Sequence, residues 1–369
     1  MTDEDREDQR LQEIFDNFFK ERPAPEQAVY KGRLTELAAF ESEHFHTLYE
    51  PGILTNVKAR INGRLRSFGK LIQPPHGPAT IHFDYIDGTI SNGLTFVKEG
   101  VYFIGVTSRM LLDFEKASAS LTGRASVRDL LVAPIDASVV RALCNTFFAI
   151  QLQFTVFHEL GHIFHAHCDA RAFREEYRLS PMEKLLLLYP DQDLEQAKEF
   201  LADRYAVRML LEDLIATATG ASMHAQIASA LPQDECIVWL ILLSIGSSFF
   251  FGPSERFHPP LARKRDHPFD LARLNIVMRS IVEWSQSVGR TDLAEWASST
   301  QNFEWVTACI QDAASMETKR EDWIAQGHYL KTDLGRDYLD IIYNEKGVVT
   351  QDMVDTWWKV QPSDVPTAE

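Results

Sequence analysis

The sequence predicts an α+β protein that is mostly helical and carries one small antiparallel sheet. Three short runs of alternating apolar and polar residues, ATIHFDYI, GLTFVKEG and VYFIGVTS, lie within residues 79–108 and are separated by turn dipeptides. From RMLLDF onward, apolar residues recur at helical spacing almost to the C-terminus. We expect the sheet to lie beside the helix that contains the stretch FHELGH.

Three regions are expected along the chain. Residues 1–75 form an N-terminal helical region, which ends near the proline-rich turn QPPHGP. Residues 76–285 hold the predicted sheet and the histidine-rich stretch. Residues 286–369 form a C-terminal helical region that is rich in tryptophan.

Composition argues against a general nucleic-acid binder. The formal net charge is −16, whereas phosphate contacts need clusters of Lys and Arg. Four widely spaced cysteines without a CxxC pair suit a reducing compartment. The acidic N-terminus lacks the order of a signal peptide. We therefore expect a cytoplasmic protein.

One apolar segment tests that expectation. Residues 236–254 contain no charged side chain and are nearly long enough to cross a bilayer. Serines and a glycine dilute the second half, and no basic cluster flanks the segment closely. A buried core helix is therefore favoured over membrane contact.

The stretch FHELGHIFHAH, residues 157–167, predicts a metal site. His158 and His162 are four residues apart, so on a helix they share one face and can reach one ion. Glu159 lies where its carboxylate can reach a metal-bound water, as a general base does. Gly161 suggests that another backbone passes close to this helix.

A catalytic zinc needs a third protein ligand and an open position for water. Three nearby side chains are weak alternatives. Cys168 takes the place of the third histidine in the longer HExxHxxGxxH pattern, but Phe164 replaces its glycine. His165 and His167 are more simply surface or supporting histidines.

The better third ligand lies in a second predicted helix, DLEQAKEFLADRYAVRMLLED. Glu199 and Asp203 are four residues apart on one face, beside small alanines that permit a close helix approach. Glu199 can complete a His–His–Glu set, and Asp203 can accept the second ring N–H of a ligand histidine. Glu195, one turn earlier, is the alternative ligand.

HELGH followed by an ExxAD helix resembles the gluzincin-type HExxH zinc metallopeptidases, a likeness that covers roughly residues 95–275. The resemblance implies a zincin-like fold and a Zn²⁺ ion held by His158, His162 and Glu199. It also implies Glu159 as the general base and Asp203 as the partner of a ligand histidine.

The subfamily is left open by the remaining motifs. HPFDLARL resembles the HPxxxxR element of the HtpX and CAAX-protease branch, and the phage-exclusion protease Lit has a comparable layout. ExxADxYA is also similar to the ImmA-type proteases. The HPxxxxR element marks His267 and Arg273 as candidate catalytic donors for the negative charge that builds on the scissile carbonyl oxygen. His258, in the nearby HPP, offers the same chemistry.

The sequence thus favours a zinc-dependent endopeptidase that acts on a protein or peptide substrate. An edge of the strands within 93–108 is expected to hold that substrate extended. Two alternatives stay open: a zinc fold that senses or binds without hydrolysis, and a structural protein in which HExxH is coincidental.

Overall fold

A computed structural model describes most of the chain. The described residues are 3–45, 49–71, 79–128, 137–164, 193–216, 234–252, 256–264, 267–313 and 317–342.

Fourteen helices are formed by these residues. They are α1 (Asp3–Lys20), α2 (Ala24–Val29), α3 (Leu37–His44), α4 (Ile53–Leu71), α5 (Ser108–Thr122), α6 (Ala125–Arg128), α7 (Ala137–Phe164), α8 (Asp193–Leu211), α9 (Asp234–Phe251), α10 (Asp270–Ser287), α11 (Thr291–Ala297), α12 (Thr300–Ala313), α13 (Glu317–Leu330) and α14 (333–342). A π-helical turn at Glu212–Ala216 follows α8, and a 3-10 turn at Pro259–Lys264 precedes α10.

Four strands form one sheet. They are β1 (Tyr30–Arg33), β2 (Thr80–Gly88), β3 (Gly93–Lys98) and β4 (Val101–Thr107). Their order is β1-β2-β4-β3. The predicted fold class, mostly helical with a small sheet, is confirmed.

The sheet is mixed, so its predicted antiparallel character is wrong for one pair. β2 runs parallel to β4, from the partners Thr80 and Val101 to Ile86 and Thr107. β3 pairs antiparallel with β4 on its outer side. β3 and β4 form a hairpin in which β4, the later strand, lies next to β2. β3 thereby becomes an edge strand.

β1 and α1 show that the predicted N-terminal region belongs to the sheet. β1 pairs antiparallel with the end of β2. The Phe15, Phe18 and Phe19 side chains of α1 pack on Phe96 and Phe103, which lie on the outer face of the sheet. The Phe18 and Phe96 rings are stacked with centroids 3.6 Å apart.

α4 covers the edge of β2 that β1 does not reach. The Asn62 side chain donates to the carbonyl of Phe83 at 2.9 Å and accepts from its N–H at 2.8 Å, as a neighbouring strand would. A Cβ on Gly69 would clash with the backbone of Ala79, so its missing side chain lets α4 lie against the strand.

The face of the sheet opposite α1 packs into the main hydrophobic core. This core contains residues from all three predicted regions of the chain. It includes Phe83 on β2, Phe148 on α7 and Trp323 on α13, all buried. The N- and C-terminal regions are therefore packed on the central region rather than attached beside it.

Two helices, α7 and α9, are long and apolar enough to cross a membrane by length and composition alone. In each, 67% of the apolar window is buried inside the protein. α9 coincides with the uncharged segment at residues 236–254, and its Leu242 and Ile245 side chains are fully buried. This is the core helix that the sequence favoured.

Candidate metal centre

α7 brings His158 and His162 to one point. The helix is buried from Leu143 onward along most of its length, and apolar residues occupy most of the positions before the histidines. Residues four apart lie one above the other on a helix, and the two Nε2 atoms are 3.1 Å apart. The ring nitrogens therefore converge as the spacing predicts.

α8 adds Glu199 to the pair. Its Oε2 lies 3.3 Å from His158 Nε2, and its Oε1 lies 3.4 Å from His162 Nε2. One ligand atom from each of the three residues lies within 4.8 Å of the others. The expected His–His–Glu set is thus brought together.

Gly161 explains how α8 comes so close. A Cβ on Gly161 would lie 2.9 Å from Ala202 Cα and 3.2 Å from Ala202 O. Real Cβ atoms essentially never approach a backbone atom so closely. The glycine and the alanine together permit the helix contact that carries Glu199 to the histidines, as the sequence suggested.

The three residues fit a divalent metal ion. Bond lengths of about 2.0–2.1 Å at tetrahedral angles place neighbouring ligand atoms about 3.3–3.4 Å apart, which is close to the distances above. Two ring nitrogens lie near the buried Glu199 Oε2, His267 Nδ1 at 2.9 Å and His158 Nε2 at 3.3 Å, but neither is aligned for a hydrogen bond with it. Leaving a buried carboxylate oxygen unsatisfied is costly, and an ion bound at this position would satisfy it.

Asp203 and Arg273 hold His158 in place. Asp203 is fully buried and accepts a hydrogen bond from His158 Nδ1 at 2.8 Å. Arg273 donates to both carboxylate oxygens of Asp203, at 2.9 and 2.6 Å, and its guanidinium lies over the Phe249 ring. Because Asp203 takes the Nδ1 side of the ring, Nε2 is the His158 nitrogen that faces His162 and Glu199 and would bind a metal.

The geometry therefore favours a different role for Arg273 from the one expected. Its Nε and Nη2 atoms are engaged by Asp203, which in turn binds His158, so the contact seen links Arg273 to the site through Asp203 and His158. Asp203 lies beside His158, the position that the resemblance implied for the partner of a ligand histidine.

His267 reaches the site from the segment just before α10. Its Nδ1 lies 2.9 Å from Glu199 Oε2, while 64% of its side chain is exposed. It is thus the one predicted donor that contacts both the cluster and solvent. His258 is exposed, and among the described residues it contributes none of the ion pairs of this cluster.

The Glu159 carboxylate lies against β3. Thr95 Oγ1 donates to Glu159 Oε2 at 2.7 Å. A Cβ on Gly93 would lie 2.9 Å from Glu159 Oε1. Neither β3 residue was singled out from the sequence. The alternation in GLTFVKEG places them on one face of the strand, but nothing local says that this face meets α7.

The ionised Glu199 and the neutral His162 favour metal binding, whereas a proton on His158 competes with it. Burial opposes ionisation of Glu199, yet His267 and His162 hold its pKa well below the usual range. Burial lowers the pKa of His162, so its ring is neutral at neutral pH. Burial also opposes a charged His158, but Asp203 and Glu199 raise its pKa to about 10. An ion binding at His158 must therefore displace a proton.

Of the alternative ligands considered from the sequence, the structure describes only Glu195. Glu195 is directed away from the cluster, because it pairs with Lys198 at 2.6 Å and its side chain is 41% exposed. His165, His167 and Cys168 lie outside the described residues.

Comparisons with protein-family models, with curated proteins and with solved structures found no match for this chain. The interpretation of the site therefore rests on its geometry alone: His158, His162 and Glu199, from two neighbouring helices, could together hold a metal ion.

Proposed function

We propose that the protein is a zinc-dependent endopeptidase of the gluzincin type. The observation that carries the proposal is the convergence of His158, His162 and Glu199 beside a fourth residue, Glu159, that is not part of the ligand set. A metal centre with only a structural role needs no such neighbouring carboxylate.

Zinc is the metal that this donor set favours, because two imidazoles and one carboxylate with an open position are typical of hydrolytic zinc sites. When bound, zinc lowers the pKa of a coordinated water to about 7 and polarises the scissile carbonyl. The buried, ionised Glu199 supplies the negative charge that balances the ion.

Glu159 supplies proton transfer. It accepts a proton from the attacking water while the water oxygen bonds to the carbonyl carbon. The carbon–nitrogen bond then breaks, and Glu159 returns the proton to the leaving amine. His267 is exposed next to Glu199, where a ring N–H can donate to the carbonyl oxygen as negative charge develops on it.

β3 offers a place for the substrate. Among the described residues, no strand pairs with its outer edge, and Thr95 on this strand contacts Glu159. An extended peptide that pairs with the backbone of β3 would therefore run past the cluster. A protein or peptide substrate fits this arrangement. A cytoplasmic location remains part of the proposal.

Metal analysis and cleavage of an unfolded protein test the proposal together. The purified protein should carry about one zinc per chain, as a single three-ligand site implies. Glu199→Ala should lose most of it, whereas the control Glu195→Ala should keep it. Loss of zinc from Glu195→Ala alone would show that the ligand lies one turn earlier.

Glu159→Gln separates binding from chemistry. The amide keeps the size of the side chain but cannot accept the proton, so zinc should stay while cleavage falls by a factor on the order of 10² or more. Undiminished cleavage would remove Glu159 from the mechanism. A parental protein that holds zinc and cleaves nothing would favour the zinc-fold sensor or binding module instead.

A further inference from the structure

The carboxylate of Glu159 is held by a strand rather than by its own helix. Thr95 Oγ1 lies 2.7 Å from Glu159 Oε2 and 3.3 Å from the Glu159 carbonyl oxygen. A hydroxyl has one proton to donate, and the shorter contact takes it. This hydrogen bond joins β3 directly to the residue next to His158.

Gly93 lies next to the second oxygen of the same carboxylate, Oε1. Gly93 and Thr95 are two residues apart, so they share a face of β3. A Cβ on Gly93 would lie 2.9 Å from Glu159 Oε1 and 2.8 Å from Thr155 Cγ2. The missing side chain therefore leaves a space that one carboxylate oxygen occupies while Thr95 binds the other.

β3 is itself fixed from its opposite face. Phe96 follows Thr95 on the opposite face of the strand, where it is buried against Phe18 of α1 and Phe103 of β4. The strand consequently cannot rotate about its axis without breaking this packing. A hydrogen bond from a fixed strand selects one orientation of the side chain it binds.

We propose that Thr95 and Gly93 are positioning residues that fix the Glu159 carboxylate for proton transfer. The proposal rests on the proposed function, in which Glu159 is the general base. A carboxylate that samples several rotamers is in reach of the attacking water for only part of the time, whereas a fixed one is aligned in every encounter. Thr95 and Gly93 act through Glu159 and need not touch the substrate.

Three variants test the role of the hydroxyl. Thr95→Val keeps the shape of the side chain and removes the hydrogen bond, Thr95→Ser keeps the hydroxyl, and Thr80→Val removes an exposed hydroxyl at the start of β2 as a control. We expect Thr95→Val to lower kcat about 10- to 100-fold, the range for losing one hydrogen bond to a charged group. KM and zinc content should stay within about twofold of parental values. Thr95→Ser should restore most of kcat, and Thr80→Val should match the parent.

A double variant distinguishes positioning from general damage. In the Glu159→Ala background, Thr95→Val should cause no further loss, because the group it positions is gone. An equal further loss in that background would overturn the proposal.

A structural readout does not depend on activity. In a crystal structure of the metal-free Thr95→Val variant, the Glu159 carboxylate should leave its parental orientation or occupy two rotamers, and in Thr95→Ser it should keep one. Gly93→Ala should displace the carboxylate in the same experiment. An unchanged carboxylate in Thr95→Val would overturn the proposal.

The positioning role of Thr95 and the proposed function can fail separately. If Glu159→Gln abolishes cleavage while Thr95→Val cleaves at the parental rate, the positioning role is wrong and the proposed function stands. If Glu159→Gln cleaves at the parental rate, the general base is wrong, and the positioning role falls with it.

Discussion

Asp203 links the metal ligands to α10 without being a ligand itself. Its carboxylate is fully buried and bonds to His158 on one side and Arg273 on the other. Burial opposes its ionisation, yet Arg273 and His158 hold its pKa below the usual range. The charge on Asp203 therefore depends on the arginine, and the orientation of His158 depends on that charge.

Removing Arg273 should weaken metal binding although Arg273 touches no metal ligand. Arg273→Leu leaves Asp203 buried without its cation, so we expect zinc affinity to fall about 10- to 100-fold, as for other partners of ligand histidines. Arg273→Lys should recover part of it, because lysine restores the charge but not the two-pronged contact. Titration against a chelating dye measures the affinity.

Arg204→Leu is the matched control for that experiment. Arg204 also pairs α8 with α10, through Glu283 at 2.7 Å, but its side chain is 45% exposed. Its loss should leave zinc affinity unchanged. Equal affinities for Arg273→Leu and the parent would mean that Asp203 orients His158 unaided.

The site residues that could be predicted from the sequence are those that lie close to one another along the chain. His158, Glu159 and His162 lie within five consecutive positions, and the helical repeat alone brings the histidines together. To predict Glu199 as the third ligand, a second helix had to be identified together with a reason why it approaches α7 closely. Gly161 supplied that reason. Thr95 could not be predicted, because its contact depends on how β3 docks on α7.

At the scale of elements, β2 carries a buried polar group that its neighbours must satisfy. Asp84 is fully buried, and Lys58 on α4 donates to its Oδ1 at 2.7 Å. Burial opposes ionisation of Asp84, but His82 and Lys58 hold its pKa below the usual range. The ion pair thus joins α4 to the sheet.

Lys58→Met should destabilise the fold in a pH-dependent way. Breaking a buried ion pair by removing one partner costs about 3–5 kcal/mol, and we expect a loss near the lower end at pH 7. Because the pKa of Asp84 is lowered on folding, its contribution is present above the unfolded pKa of about 3.9 and is lost as pH falls through the folded value. The difference between variant and parent should therefore narrow below about pH 4.

Urea unfolding at several pH values measures this difference. Lys31→Met is the control, since Lys31 and Asp87 form an exposed pair with 55% and 43% of their side chains accessible. That change should cost less than about 1 kcal/mol. A Lys58→Met variant no less stable than this control would contradict the assignment.

The elements themselves were predictable where their patterns are long. The alternating runs within 79–108 became β2, β3 and β4, and the apolar segment became α9. β1 was missed because four residues, YKGR, carry too little alternation to be recognised. The parallel pairing of β2 with β4 was missed because strand order is decided by packing on α1 and α7 rather than by sequence order.

At the scale of the whole molecule, the proposed metal centre joins residues from two helices of the main core. His162 belongs to α7, Glu199 to α8, and both helices are in the core that also holds α13. The unfolded chain offers no such arrangement, so an ion bound here stabilises only the folded state.

Removal of the metal should lower the melting temperature. At an ion concentration of about 100 times Kd the linkage contributes about 2.7 kcal/mol, which for a chain of this size corresponds to a shift on the order of 5 °C. Calorimetry with and without a chelator measures the shift. His162→Ala should melt at the same temperature in both conditions, and a chelator-sensitive His162→Ala would place the stabilising ion elsewhere.

The Asn62 side chain affects where another extended chain can pair with the sheet. By satisfying both backbone groups of Phe83, it closes the side of the sheet on which β1 covers only the end of β2. Apart from the four-residue β1, the described part of the sheet then offers the outer edge of β3 for strand addition. A second copy that associates through β3 would use the same place as the proposed peptide substrate, so self-association by this route and peptide binding exclude each other.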